Sequence, residues 1–187
     1  MARHETGKAK TLSTAQIRAV LSVLNTTRDV AMFLLSAKAA LRAVEIAGLQ
    51  WRHVRGDVLE LTPDITKGGK PRIVPIGRAM RDALDAHRGD APDHQNVFPN
   101  RHTAGRSLSA NAVSQWFRHL YVERMGWTGY SSHSGRRTAI TQLARSIVTH
   151  GGSLRDVQDI AGHSSLKTTQ IYIEVSSDAK RRAMDAL

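Results

Sequence analysis

Three short patterns in this chain carry groups that can hold or attack an anion. The first is Leu41-Arg42-Ala43-Val44-Glu45, in which an arginine at the start of a short helix has an acidic residue one turn away on the same face. The second is His133-Ser134-Gly135-Arg136, whose spacing brings an imidazole and a guanidinium within reach of one anion. The third is Gly162-His163 followed by Tyr172, which sets a second imidazole and a phenol around a short helix. Each pattern also has an ordinary reading. Arg42 and Glu45 can be a surface ion pair, a lone histidine can be structural, and a lone tyrosine can simply pack. Their order along one chain is what makes a shared site worth testing.

The elements that must position these groups are mostly helical. Ser13 with Gln16 three residues on forms a capping-box signal, and Ile17, Val20, Leu21 and Leu24 mark one face of a first helix. Val30 to Ala40 reads as a second, more uniformly apolar helix that belongs in the core. After Trp51 the pattern changes. Val58–Leu61 and Arg72–Pro75 are strand candidates flanking Thr66-Lys67-Gly68-Gly69-Lys70, whose paired glycines permit a turn. Pro71 cannot donate to a ladder and belongs at an edge, so the sheet is expected to be small. Helices are then predicted over Arg78 to His87, Ser109 to Tyr121, Arg137 to Ser146, Leu154 to Ile160 and Lys167 to Ile173, with a last amphipathic helix over about Ser177 to Leu187. The expected fold class is therefore mainly α with a small antiparallel β-sheet. Residues 1–10 read as a basic arm expected to be disordered, and 11–187 as one domain.

Composition narrows the partner. Lys and Arg number 27 against 16 Asp and Glu, a formal net charge of +11 over 187 residues, which favours a polyanion such as nucleic acid. With no cysteine there is neither a disulfide nor a thiolate metal site, which suits a reducing compartment. The longest apolar stretch, around Ala31 to Leu35, falls far short of the roughly 20 residues needed to cross a bilayer, and Met1 to Lys10 lacks an apolar signal core. The expected setting is the cytoplasm, with no membrane association.

Taken together, Leu41-Arg42-x-x-Glu45, Lys67 in a glycine hairpin, His133-x-x-Arg136, Gly162-His163 and Tyr172 resemble the tyrosine recombinase family in order and spacing. The segment from Ala161 to Tyr172 is especially similar to the family's signature around its nucleophile. The resemblance begins near Thr11 and implies the tyrosine recombinase catalytic-domain fold. It implies no separate N-terminal core-binding domain within this chain, although many relatives carry one of order a hundred residues. It makes Tyr172 the nucleophile, Arg42 and Arg136 the phosphate clamp, and Lys67 the acid at the leaving oxygen. His133 and His163 complete the pocket, and Glu45 braces Arg42 without touching phosphate. Two departures stand out: Ala40 where glycine usually precedes the Leu-Arg pair, a small change if that residue is helical, and Arg137 where many members have histidine, adding a phosphate contact or only a surface charge.

Physical chemistry agrees with those roles. Two guanidiniums match the non-bridging oxygens of a phosphodiester and can stabilise the charge added in a pentavalent transition state, so neither metal nor cofactor is expected. A phenol is protonated at neutral pH, so Tyr172 must lose a proton as it attacks, with His133 a candidate acceptor. The implied activity is site-specific cleavage and rejoining of double-stranded DNA through a 3′-phosphotyrosine. The implied assembly is a homotetramer on DNA and a monomer when free. The family further suggests that the final stripe of Val175, Ala179, Ala183, Met184 and Leu187 docks on a neighbouring protomer; folding back on its own domain is the alternative. Two other readings share parts of this pattern: a type IB topoisomerase-like strand transferase and an idle DNA-binding accessory protein.

Overall fold

The computed structural model describes residues 9–172, apart from 102 and 104, together with Met184. Residues 1–8 of the expected arm over 1–10 and, Met184 aside, the expected last helix lie outside the described residues. Lys10 is already engaged: its N–H donates to the Gly129 carbonyl at 3.0 Å.

Helix α1 (Thr14–Val23) starts where its cap dictates, with the Ser13 hydroxyl accepting from the Gln16 N–H and the Gln16 side chain accepting from the Ser13 N–H. Helix α2 (Thr27–Ala37) is capped by Thr26 and buries every residue from Ala31 to Ala37, as its uniform apolarity requires. It packs against both α4 (Arg78–Arg88) and α6 (Ser132–Ser146) and is the centre of the molecule. Trp116 of α5 (Ala110–Arg118) donates to Asp29 in the first turn of α2 at 3.1 Å, and α5 runs on into a π-helical turn, His119–Arg124.

The sheet is antiparallel in the order β1-β2-β3, with β1 (Val54–Arg55), β2 (Val58–Leu61) and β3 (Arg72–Pro75). The two longer strands match the expected segments. The two-residue β1 was not expected, because a strand that short carries no alternation for a sequence pattern to reveal. Leu59 faces Val74, both buried, while Leu61 pairs with Arg72. Ile65 and Thr66 are buried beneath the loop joining β2 to β3, so the exposed stretch from Lys67 to Lys70 stands on a fixed base.

Helices α7 (Leu154–Ala161) and α8 (Leu166–Gln170) complete the described chain. Ala139, Ile140 and Ala144 of α6 form a small second core with Ala40, Val157 and Ala161, against which Tyr172 packs.

Three expectations need correction. The second helix ends at Ala37 rather than Ala40, and Ala40 is not helical: its φ is 56°, in the left-handed region where a Cβ is strained. Alanine in place of glycine there carries a backbone strain that a helical position would not impose. Helix α6 begins at Ser132, five residues before the predicted Arg137, because Ser131 caps it. Helix α8 stops before Tyr172, which sits in the turn that follows.

Candidate active site

Starting α6 at Ser132 puts both His133 and Arg136 in its first turns. The Ser131 hydroxyl accepts from the His133 N–H at 3.2 Å, and Ser134 returns the bond by accepting from the Ser131 N–H at 3.0 Å. Between these two candidate residues, Gly135 faces α2 so closely that an added Cβ would lie 2.4 Å from Ser36 Oγ. Only glycine lets the helices approach this far. Arg136 is thereby sunk to 6 % exposure. Its guanidinium donates to the Ala40 carbonyl and, at 2.6 Å, to the Ala161 carbonyl. Burial first, and then the charge of Arg42, press it down to about 9, so it remains a cation at neutral pH.

The second guanidinium belongs to α3 (Ala43–Gly48), whose N-cap is Arg42. Glu45 occupies the third position of that helix and accepts from the Arg42 main-chain N–H at 2.7 Å and from its Nη1 at 2.9 Å. Arg42 Nη2 donates to the Gly162 carbonyl at 3.1 Å. Glu45 is fully buried, and a second cation meets it: Arg72 of β3 donates Nη1 and Nη2 to its two carboxylate oxygens at 2.8 Å each. Burial alone would raise the Glu45 carboxyl, but the bonds and charge of Arg72, with those of Arg42, outweigh it and hold the carboxyl below its usual value. Glu45 thus bonds the arginine it was expected to brace, and Arg72 as well.

Gly162 ends α7 in the left-handed conformation, φ 62°, and an added Cβ would lie 3.0 Å from Arg72 Cδ, so backbone and packing both demand glycine. Its reversal aims successive carbonyls inward, Ala161 to Arg136 and Gly162 to Arg42. His163 follows, its Nδ1 3.0 Å from Thr169 Oγ1 and its ring stacked on Tyr172 with centroids 6.0 Å apart. Burial, then Arg136, Arg42 and Arg72, push His163 down to about 4. His133 is lowered by burial, then by Arg136, Lys67 and Arg42. Both imidazoles are therefore neutral at pH 7, and a neutral imidazole can accept a proton.

Two openings expose these groups. One, of about 530 Å³, is lined by His133, Arg136, Arg137 and Tyr172; the other, of about 390 Å³, by Arg42, Lys67, Gly162 and His163. The carbonyls of Ala161 and Gly162 join the two sides through Arg136 and Arg42. The six predicted side chains thus line two openings that these two carbonyls link. Sequence reasoning missed Arg72. It stood at an inward-facing strand position, where a charged residue is anomalous, and that was the available signal. Arg137, left open between a phosphate contact and a surface charge, holds its guanidinium 5.8 Å from the centroid of the Tyr172 ring.

The profile of the phage integrase family matches residues 10–178, nearly the whole chain. The chain belongs to the phage integrase family. Among relatives of this phage integrase homologue, tyrosine recombinase XerC of Xanthomonas campestris pv. campestris is 34% identical over 161 residues, covering 85% of this chain and 48% of that protein. Tyrosine recombinase XerA of Thermococcus onnurineus is 30% identical over 184 residues, covering 94% and 62%. The chain spans about half the length of the XerC relative it matches. Among solved structures, the Tn1549 transposon integrase in complex with a circular intermediate DNA superposes with a TM-score of 0.77 at 18% identity, covering 100% of this chain and 68% of that one. A crystal structure of XerA recombinase gives 0.71 at 23% identity, covering 94% and 64%. The family's fold, mainly α with a small antiparallel sheet, is the fold seen here.

Proposed function

We propose that this chain is the catalytic domain of a site-specific DNA recombinase, extending from about Thr11, which cuts and rejoins duplex DNA through a covalent 3′-phosphotyrosine on Tyr172. The observation that carries the reading is the convergence on one inward-turned carbonyl pair, Ala161 and Gly162, of two guanidiniums, with two neutral imidazoles and the phenol alongside.

In this reading Arg42 and Arg136 hold the non-bridging oxygens of the scissile phosphate. Tyr172 Oη attacks phosphorus as its proton passes to His133. The bond from phosphorus to the 5′-oxygen breaks, and Lys67 protonates that oxygen as it leaves. The phosphotyrosine conserves the broken bond, so a 5′-hydroxyl from another strand can reverse the step without a nucleotide cofactor. Guanidinium charge does the work that a metal ion does in other phosphoryl transferases. His163, held by Thr169 and stacked on Tyr172, orients the nucleophile.

The substrate we assign is double-stranded DNA bearing recombination sites, bound by a monomer that assembles into a homotetramer on DNA, in the cytoplasm. The net charge of +11 supports the DNA partner. No helix among the described residues is long and apolar enough to cross a membrane.

The test is to incubate the chain with a randomised pool of DNA duplexes and recover any duplex attached after SDS denaturation. Attachment by the wild type and none by Tyr172→Phe is expected. Attachment that survives the loss of the phenol oxygen would overturn the reading.

A further inference from the structure

One side chain ties the base of the Lys67 hairpin to the rest of the site. Arg72 is the first residue of β3, paired in register with Leu61, and its side chain is 7% exposed. Two of its nitrogens fork onto Glu45 of α3, and the third, Nε, donates to the Ile160 carbonyl near the end of α7 at 3.0 Å. Its aliphatic part packs under Gly162. Three separate elements, α3, the β2–β3 hairpin and the C-terminal end of α7, therefore meet on one guanidinium. Arg42, Lys67 and His163 line the same opening as Arg72, one from each of those elements.

We infer that Arg72 is a positioning residue for strand transfer: by clamping the base of the β2–β3 hairpin to Glu45 and Ile160, it sets where Lys67 meets the leaving oxygen relative to Arg42. This rests on the recombinase reading above. Lys67 is exposed on a loop that carries Gly68 and Gly69 at positive φ and stands on the buried Ile65 and Thr66, so it takes its placement from that base. A displaced acid is costly, since a 1 Å error in a catalytic group can cost about 10²-fold in rate. Arg42 depends on the clamp far less. It keeps two bonds to Glu45 within its own helix and one to Gly162 when Arg72 is altered. A lysine at position 72 retains the positive charge opposite Glu45 but, as a point charge, cannot reproduce a planar fork and a third bond. The defect should therefore fall on the step that Lys67 serves.

The experiment uses a duplex recovered by attachment to the wild-type chain, synthesised with an ordinary phosphodiester or with sulfur as the bridging 5′ atom. A thiolate leaves without a proton, so the sulfur duplex bypasses the acid. Arg72→Lys is expected to cleave the ordinary duplex about 10- to 10²-fold more slowly and the sulfur duplex at close to the wild-type rate. Arg72→Lys combined with Lys67→Ala should be no slower than Lys67→Ala alone, because two residues acting through one step are not additive. A merely structural role would slow both duplexes alike and multiply with Lys67→Ala, and either result overturns the inference, as does a wild-type rate for Arg72→Lys on the ordinary duplex. Folding is checked by circular dichroism. If Arg72→Lys does not fold, Arg72→Gln takes its place, and failure of both to fold shows Arg72 to be structural and overturns the inference. If the wild type attaches to no duplex, the recombinase reading itself fails; attachment by the wild type with any of the overturning results above sinks the Arg72 inference alone.

Discussion

Arg136 donates to the main-chain carbonyl of Ala40, and Ala40 is the one non-glycine residue with positive φ among the described residues. A strained backbone position thus supplies an acceptor that aims a buried guanidinium. For alanine the strain is about 1–2 kcal/mol. Glycine would relieve it but would lose about 0.8 kcal/mol for a buried methyl and up to about 1 kcal/mol of chain entropy. These terms nearly cancel. Ala40→Gly should therefore change stability by less than about 1 kcal/mol, whereas Ala40→Val, β-branched at a left-handed and buried position, should cost about 2–4 kcal/mol. Denaturant unfolding of both variants checks the pair, and a large gain for Ala40→Gly would show that the strain outweighs the other two terms.

Tyr172→Phe should form no SDS-stable DNA adduct while binding duplex with little change, since only the proposed nucleophilic oxygen is lost. Binding by both proteins should weaken steeply between low and moderate salt, because each phosphate contact releases condensed counterions. Filter binding across a salt series provides the measurement.

Lys67→Ala should cleave an ordinary site about 10²–10⁴-fold more slowly and a bridging 5′-sulfur site near the wild-type rate, as expected for a lost general acid. Arg42→Ala should be slow on both, because in the proposed mechanism it holds the oxygens that stay on phosphorus. Equal rescue of the two variants would remove Lys67 from the acid's role.

The contact between Gly135 and Ser36 leaves no room for a side chain. Gly135→Ala should destabilise the fold by about 1–3 kcal/mol through overpacking and should slow cleavage by shifting His133 and Arg136. Ser36 Oγ is buried with no hydrogen-bond partner among the described residues, so Ser36→Ala alone should be neutral or stabilising, and it should restore part of what Gly135→Ala loses. Thermal unfolding of the four combinations reads the coupling.

Four histidines are held below the ordinary value, each chiefly by burial: His53, His87, His133 and His163. His53, for example, accepts from the Gln50 N–H through Nδ1 at 3.0 Å, a bond that requires that nitrogen to be unprotonated. Between each lowered value and about 6.5 the unfolded chain binds more protons than the folded one, so stability rises with pH across that window. It should be complete above about pH 6.5 and decline as pH falls, down to about 4 for His163. Cleavage that uses neutral His133 as the base should likewise persist below the ordinary histidine range. Chemical unfolding and cleavage rates between pH 4 and pH 8 give the profiles.

What the sequence by itself determined was local or a matter of residue type. The Ser13 and Gln16 cap, the apolar run of α2, strands Val58–Leu61 and Arg72–Pro75, and the six candidate groups are legible because caps, periodicity and side-chain chemistry act within a few residues. Tertiary structure decided the rest. Arg72 reaches Glu45 across 27 positions and Ile160 across 88, and no spacing rule connects them. The left-handed turn at Ala40 and the close approach of α6 to α2 have the same origin. Ala40 is held by packing in the second core and by a guanidinium 96 residues away, and Gly135 lies against Ser36 of α2. Such features depend on which surfaces meet, and contacts between distant segments exist only once the chain has folded.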